Sequence, residues 1–95
     1  MPFMPPESPE RQLYRAAKRL RIDIGNLIDC IGDVEFLTAA AAAAPADTHV
    51  RQALANYQAR FTHIVDCVHM RAARLIECAT NVAAADAVAA RAAAQ

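Results

Sequence analysis

The chain is poor in the residues that build sheets and tight turns. Its 95 residues include no tryptophan, two glycines, two tyrosines and three phenylalanines. Of the five prolines, four lie within the first nine residues and the fifth is Pro45. Strands need frequent turn residues between them, so this scarcity argues against a β-sandwich and favours long, uninterrupted helices.

The chain also lacks an excess of charge of either sign. Ten lysines and arginines balance ten aspartates and glutamates, which gives a formal net charge of zero. No long-range field therefore attracts nucleic acid or anionic lipid, and we expect neither as a partner. The longest uncharged run, residues 36–46, is mostly alanine and far shorter than the roughly 20 apolar residues of a membrane span. The sequence predicts no membrane span.

Signals for classical export are missing as well. The N-terminal residues carry neither a basic segment nor an apolar segment of the kind found in signal peptides. Three cysteines are an odd number, which cannot form a complete disulfide framework. We therefore expect reduced thiols and a cytoplasmic location.

Start and stop signals divide the chain into two helices. Ser8 is a candidate N-cap followed by a proline and an acidic residue, and no breaker follows before Pro45. Asp47 or Thr48 can then cap a second helix. The sequence predicts a flexible Pro-rich N-terminus (1–8) and one domain (9–95), with helices over 9–44 and 49–90. The short turn over 45–48 makes the fold an all-α, long antiparallel two-helix hairpin.

Apolar residues recur at alternating spacings of three and four along both helices, as in a coiled-coil seam. The predicted seam of the first helix contains Leu13, Ala17, Leu20, Ile24, Leu27, Ile31, Val34 and Thr38. That of the second contains Val50, Leu54, Tyr57, Phe61, Ile64, Val68, Arg71, Leu75, Cys78, Val82, Ala85 and Ala89. Facing seams would form the hairpin contact.

Large apolar residues also lie outside these seams, where two helices alone leave side chains in water. They are Ile22, Ile28, Phe36, Leu37, Val65, Met70 and Ile76. Exposed aliphatic flanks lower solubility, so we expect a partner to cover them. Pairing with itself or with another helical hairpin, as a homodimer or a heterodimer, would give a four-helix bundle. The alternative is a monomer with scattered surface aliphatics.

Charged residues offer two further hypotheses. The first half of the first helix is rich in arginine and its second half in aspartate, which indicates a solvated face or a docking patch for an acidic partner. Arg71 occupies a seam position where an aliphatic residue is expected. The methylene groups of its side chain could extend along apolar surface while the guanidinium reaches solvent. Alternatively, its guanidinium could form an ion pair that fixes the partner or the register of the helices.

No catalytic constellation is present, and we expect no enzyme and no cofactor. The chain has no Gly-rich phosphate loop, nucleophile elbow or paired carboxylates, and a slim hairpin offers no closed pocket. Cys30, Cys67 and Cys78 most simply fill the core. An alternative places Cys30 level with Thr62, near His63 and Cys67, which would give a metal- or redox-responsive helical oligomer.

Three stretches resemble the small secreted proteins of mycobacterial type VII (ESX) systems, closest to the PE-domain branch. Pro9 and Glu10 match the motif of that branch, residues 45–47 fall at its turn, and residues 82–86 match its Tyr-x-x-x-Asp/Glu export signal. Val82 replaces the tyrosine and Asp86 supplies the acid. The resemblance implies a hairpin that pairs with a second hairpin and is exported folded or acts as an adaptor. Its departures leave open a diverged member that stays in the cytosol.

Overall fold

The structure, a computed structural model, describes residues 6–95 and confirms an all-α antiparallel hairpin. Helix α1 spans Pro9–Ala43 and helix α2 spans Thr48–Ala94, and the two pack along each other. The described residues contain no strand. Most of the predicted flexible N-terminus, residues 1–5, lies outside the described part of the chain.

Capping hydrogen bonds explain where the helices begin. The Ser8 hydroxyl accepts from the Arg11 amide at 3.3 Å, and Pro9 occupies the first turn, where its missing N–H costs nothing. The Asp47 carboxylate accepts from the amides of His49 and Val50 at 3.0 and 3.2 Å. Asp47, rather than Thr48, is therefore the N-cap of α2.

The helix ends differ slightly from the sequence prediction. Helix α1 ends at Ala43, one residue early, and α2 begins one residue early at Thr48 and continues four residues beyond Ala90, to Ala94. The alanine-rich end of α2 contains no glycine or proline to stop it. Helix α2 has 47 residues and α1 has 35, a difference of about 18 Å in length.

The contact seam of α1 is rotated by one residue from the predicted one. Its leucines and Val34 are part-buried as expected, but alternate seam positions are taken by the residue preceding each predicted one. The positions that face α2 are Ala16, Asp23, Cys30 and Leu37, not Ala17, Ile24, Ile31 and Thr38. An aspartate in a seam is stable here because it meets a cation from α2, as described below.

The seam of α2 follows the prediction from Val50 to Ala85 and fails at Ala89, which is exposed because α1 does not reach that far. The core is correspondingly thin. Among the described residues, those buried are Ala16, Cys30, Ile64 and Cys78.

The shape of the molecule reflects this single contact layer. The described chain extends 74 × 35 × 14 Å and its radius of gyration is 21.2 Å, whereas a globular domain of this length has about 12 Å. Two helices bury one side of each and leave both broad faces of the hairpin in solvent. No helix in the described part of the chain is long and apolar enough to cross a membrane.

Candidate protein interface

The two broad faces of the hairpin can be told apart by the side chains that line their surface grooves. One groove brings together Ile31 and Glu35 from α1 with Gln58 and Thr62 from α2. Another groove joins Asp29 and Asp33 to Arg60. Residues three, four or seven apart share one side of a helix, so each groove identifies the other residues on its face.

The face that contains Ile31 is mainly apolar. Ile24 and Ile28 lie on it because they precede Ile31 by seven and three residues, and Val65 lies on it because it follows Thr62 by three. Ile28 is 63% exposed, Ile24 is 40% exposed and Ile31 is 39% exposed. We call this surface the apolar face: Ala17, Ile24, Ile28 and Ile31 of α1 with Val65, Ala72 and Ile76 of α2.

The apolar face carries few charges. On α1, Arg21 and Glu35 lie seven residues before and after Ile28, on the same side of the helix. The matching stripe of α2 contains no acidic residue, lysine or arginine between residues 55 and 83. Its members are Ala55, Gln58, Thr62, Val65, His69, Ala72, Ile76, Ala79 and Ala83.

The opposite surface is rich in ionised side chains. We call it the charged face: Arg15, Arg19, Asp29 and Asp33 of α1 with Arg60 and Arg74 of α2. Local pairs neutralise part of it: Arg15 pairs with Glu7, and Arg74 pairs with Glu77 at 2.9 Å. Arg74 also donates to the neutral Gln12 side chain of the other helix at 3.4 Å. These contacts are exposed, so each contributes little to stability.

An ion pair crosses the seam at the inner edge of the charged face. The Arg71 Nε atom lies 3.1 Å from Oδ2 of Asp23, and the side chains are 38% and 19% exposed. The structure therefore supports the second interpretation of Arg71, an ion pair between the helices. Because it requires Asp23 in the seam, the pair also favours the rotated seam and turns the isoleucines out toward solvent.

The predicted partner residues do not share one surface. Ile28, Val65 and Ile76 lie on the apolar face. Leu37 lies in the hairpin seam and is part-buried, not on an exposed flank as expected from the sequence. Val65 is also part-buried rather than fully exposed.

The remaining three predicted partner residues lie elsewhere. Phe36 follows Asp33 by three residues, and Met70 precedes Arg74 by four, so both belong to the side of the charged face. Ile22 lines a shallow groove with Ala17 and Arg21, where the outer surface of α1 borders the apolar face. On α1 the rotated seam accounts for Leu37, because it places Leu37 rather than Thr38 against α2; the seam of α2 is as predicted and does not account for Met70.

The predicted convergence of Cys30, His63 and Cys67 does not occur. The Cys30 thiol is buried and donates to the Tyr57 carbonyl at 3.6 Å, so Cys30 is level with Tyr57 and not with Thr62. The Cys67 sulfur lies 3.7 Å from Nε2 of His63, one turn away on the same helix. No three His, Cys, Asp or Glu residues within 6–95 are grouped closely enough to hold a metal ion.

The residues of the export-like motifs lie at the start of α1 and near the end of α2. Pro9 and Glu10 form the first turn of α1. Val82 is part-buried against the hairpin, whereas Asp86, one turn later, is exposed. The carboxylate is therefore accessible, while the side chain at the tyrosine position faces inward.

Comparison with known proteins adds no relative. No protein-family model, curated protein or solved structure matches the chain.

Proposed function

We propose that the protein is a non-enzymatic association module that packs its apolar face against a second helical hairpin, completing a four-helix bundle. The observation that carries this proposal is the exposure of Ile24, Ile28 and Ile31 on one side of α1, beside Val65 and Ile76 of α2. An aliphatic patch that spans both helices is typical of a surface that is covered in the working state.

The energetics favour covering this patch. Burying the exposed parts of Ile24, Ile28 and Ile31 contributes about 2–4 kcal/mol per hairpin. That gain is large for this fold, because the contact between α1 and α2 in residues 6–95 is a single layer. Association through the apolar face thus also stabilises the fold of each hairpin.

The type VII role is a narrower proposal within this one. Pro9 and Glu10 at the start of α1 and the exposed Asp86 near the end of α2 support a substrate or adaptor of such a system. The inward-facing Val82 favours the cytosolic adaptor, because the machinery that reads a tyrosine at this position would find no accessible aromatic ring. Detection of the protein in culture filtrate, and its loss in Asp86→Ala, would support export instead.

Association is tested with the full chain by multi-angle light scattering over about a hundredfold range of concentration. The same measurement is repeated after co-expression with the product of any neighbouring gene for a small helical hairpin. We expect a dimer or a stoichiometric complex. A folded monomer at every concentration, with no complex in either preparation, would contradict the proposal.

A further inference from the structure

The charges on α1 indicate which partner covers the apolar face. Resting on the proposed function, we propose that the apolar face binds a second copy of this chain, with α1 antiparallel to the partner's α1 and Ile28 on the two-fold axis. The two α2 helices then also face each other in antiparallel orientation, beside the pair of α1 helices. The basis is the order of side chains along the apolar face of α1.

On each side of Ile28, the apolar face of α1 carries first an isoleucine and then a charged residue. The two charged residues have opposite signs. Ile24 and Ile31 flank Ile28 at four and three residues, and Arg21 and Glu35 flank it at seven residues on either side. When two such helices run antiparallel about Ile28, each Arg21 faces the partner's Glu35 and the isoleucines meet in the centre. One contact is therefore apolar in the middle and ion-paired at both ends.

Arg21 and Glu35 are available for these pairs. Both side chains are exposed, and neither forms an ion pair with another described residue. They are 14 residues apart, about 21 Å along the helix, so they cannot neutralise each other within one chain. The second copy supplies the opposite charge at both positions.

The alternative arrangement lacks this match. If α1 packed over the partner's α2, its charges would face the stripe of α2 that carries no acidic residue, lysine or arginine from residue 55 to 83. Arg21 and Glu35 would then enter the contact without partners, which is unfavourable. Charge complementarity thus selects the α1 to α1 contact.

The wider charge distribution of α1 agrees with this arrangement. Basic residues outnumber acidic ones in its first half, and the ionised residues of its second half are all acidic. Most of these charges lie outside the apolar face and act on the partner at longer range, where an antiparallel pair sets opposite charges alongside each other and a parallel pair would set like charges together. A net charge of zero removes any overall repulsion between copies.

Two single charge reversals test the contact. Arg21→Glu alone places two acids at each end of the contact, and Glu35→Arg alone places two arginines there. We expect each variant to self-associate about tenfold more weakly than the wild type. A mixture of the two variants restores both pairs, so it should form a heterodimer with nearly the wild-type dissociation constant.

The measurement is sedimentation velocity of each variant alone and of the equimolar mixture, with one variant fluorescently labelled. Arg19→Glu is the matched control, because it makes the same change in net charge two residues from Arg21 but lies on the charged face. It should self-associate like the wild type and show no preference for Glu35→Arg.

The outcomes separate this inference from the proposed function. A wild-type protein that is monomeric alone but binds another hairpin would overturn the second-copy inference and leave the proposed function intact. Self-association that is unchanged in both reversals, or a mixture as weak as its components, would overturn the antiparallel α1 contact. A chain that binds nothing would contradict both.

Discussion

The two broad faces of this hairpin are built from the same two helices and differ in what they require from their surroundings. The charged face carries arginines and aspartates that are satisfied by water and by local partners such as Glu7 and Glu77. The apolar face presents isoleucines that the hairpin covers only in part. One face is complete in an isolated hairpin, and the other is complete only in an assembly.

The difference shows that exposure alone does not identify an interface. Phe36 is 73% exposed and Ile28 is 63% exposed, so a ranking by exposure would place Phe36 first. Phe36, however, stands among aspartates, whereas Ile28 continues a patch formed by both helices. A contiguous patch excludes water over its whole area, and a single side chain does not.

The strongest test of this comparison places the same residue on each face. Ile28→Lys should weaken association by at least about a hundredfold, because the substitution removes apolar contact from both copies and places two ammonium groups near the two-fold axis. Phe36→Lys should change the dissociation constant by less than about threefold. Sedimentation equilibrium gives both constants.

Circular dichroism of the two lysine variants controls for folding, since both positions are exposed and both variants should keep the helical content of the wild type. If Phe36→Lys disrupts assembly as strongly as Ile28→Lys, the contact is not confined to the apolar face. Both faces of the hairpin would then contribute to association.

Much of the fold was predictable from local signals. The N-cap at Ser8, the stop before Pro45 and the cap at Asp47 act over a few residues, and the structure confirms them. The hairpin also follows from length, because a turn of four residues between long helices allows only an antiparallel return. These features need no knowledge of contacts between the helices.

The seam of α1 was not predictable in the same way. Two heptad stripes share Leu13, Leu20 and Leu27, and hydropathy favours the stripe with Ile24 and Ile31 over the one with an aspartate. The choice depends on Arg71, 48 residues from Asp23, which pairs with it across the hairpin. An available signal was the unexplained arginine in the α2 seam, which predicts an acid in the opposite seam.

The next test concerns that ion pair. Asp23→Ala should lower the free energy of unfolding by about 1–2 kcal/mol, because it leaves the part-buried Arg71 without its carboxylate. The double variant Asp23→Leu with Arg71→Met removes both charges and should recover most of the loss. Urea unfolding at one fixed protein concentration measures these values.

Glu77→Ala is the control for this pair, because it removes the exposed partner of Arg74 and should cost less than about 0.5 kcal/mol. A coupling between Asp23 and Arg71 indistinguishable from zero in the double-variant cycle would show that the pair does not stabilise the rotated seam. Packing of Ala16 and Cys30 would then have to fix the seam alone.

The smallest expected effect comes from the outer edge of α1, which belongs to neither face. Gly25 and Gly32 lie in the helix interior, and a β-carbon added at either position meets nothing within 4 Å beyond its chain neighbours and the adjoining helix backbone. Replacing each by alanine should raise the free energy of unfolding by about 0.5–1 kcal/mol, because alanine restricts the unfolded chain and favours the helix.

The glycine variants separate stability from association. Thermal unfolding at equal protein concentration should show a higher midpoint for Gly25→Ala and Gly32→Ala. These positions are level with the partner's Ile31 and Ile24 in the proposed contact but lie toward the outer edge of α1, so the dissociation constants should change by less than about threefold. If either alanine instead weakens association, a partner approaches the backbone of α1 at its outer edge, where only glycine leaves room. The covered surface would then extend beyond Ile28 around α1, and the division of the hairpin into two faces would have to be redrawn.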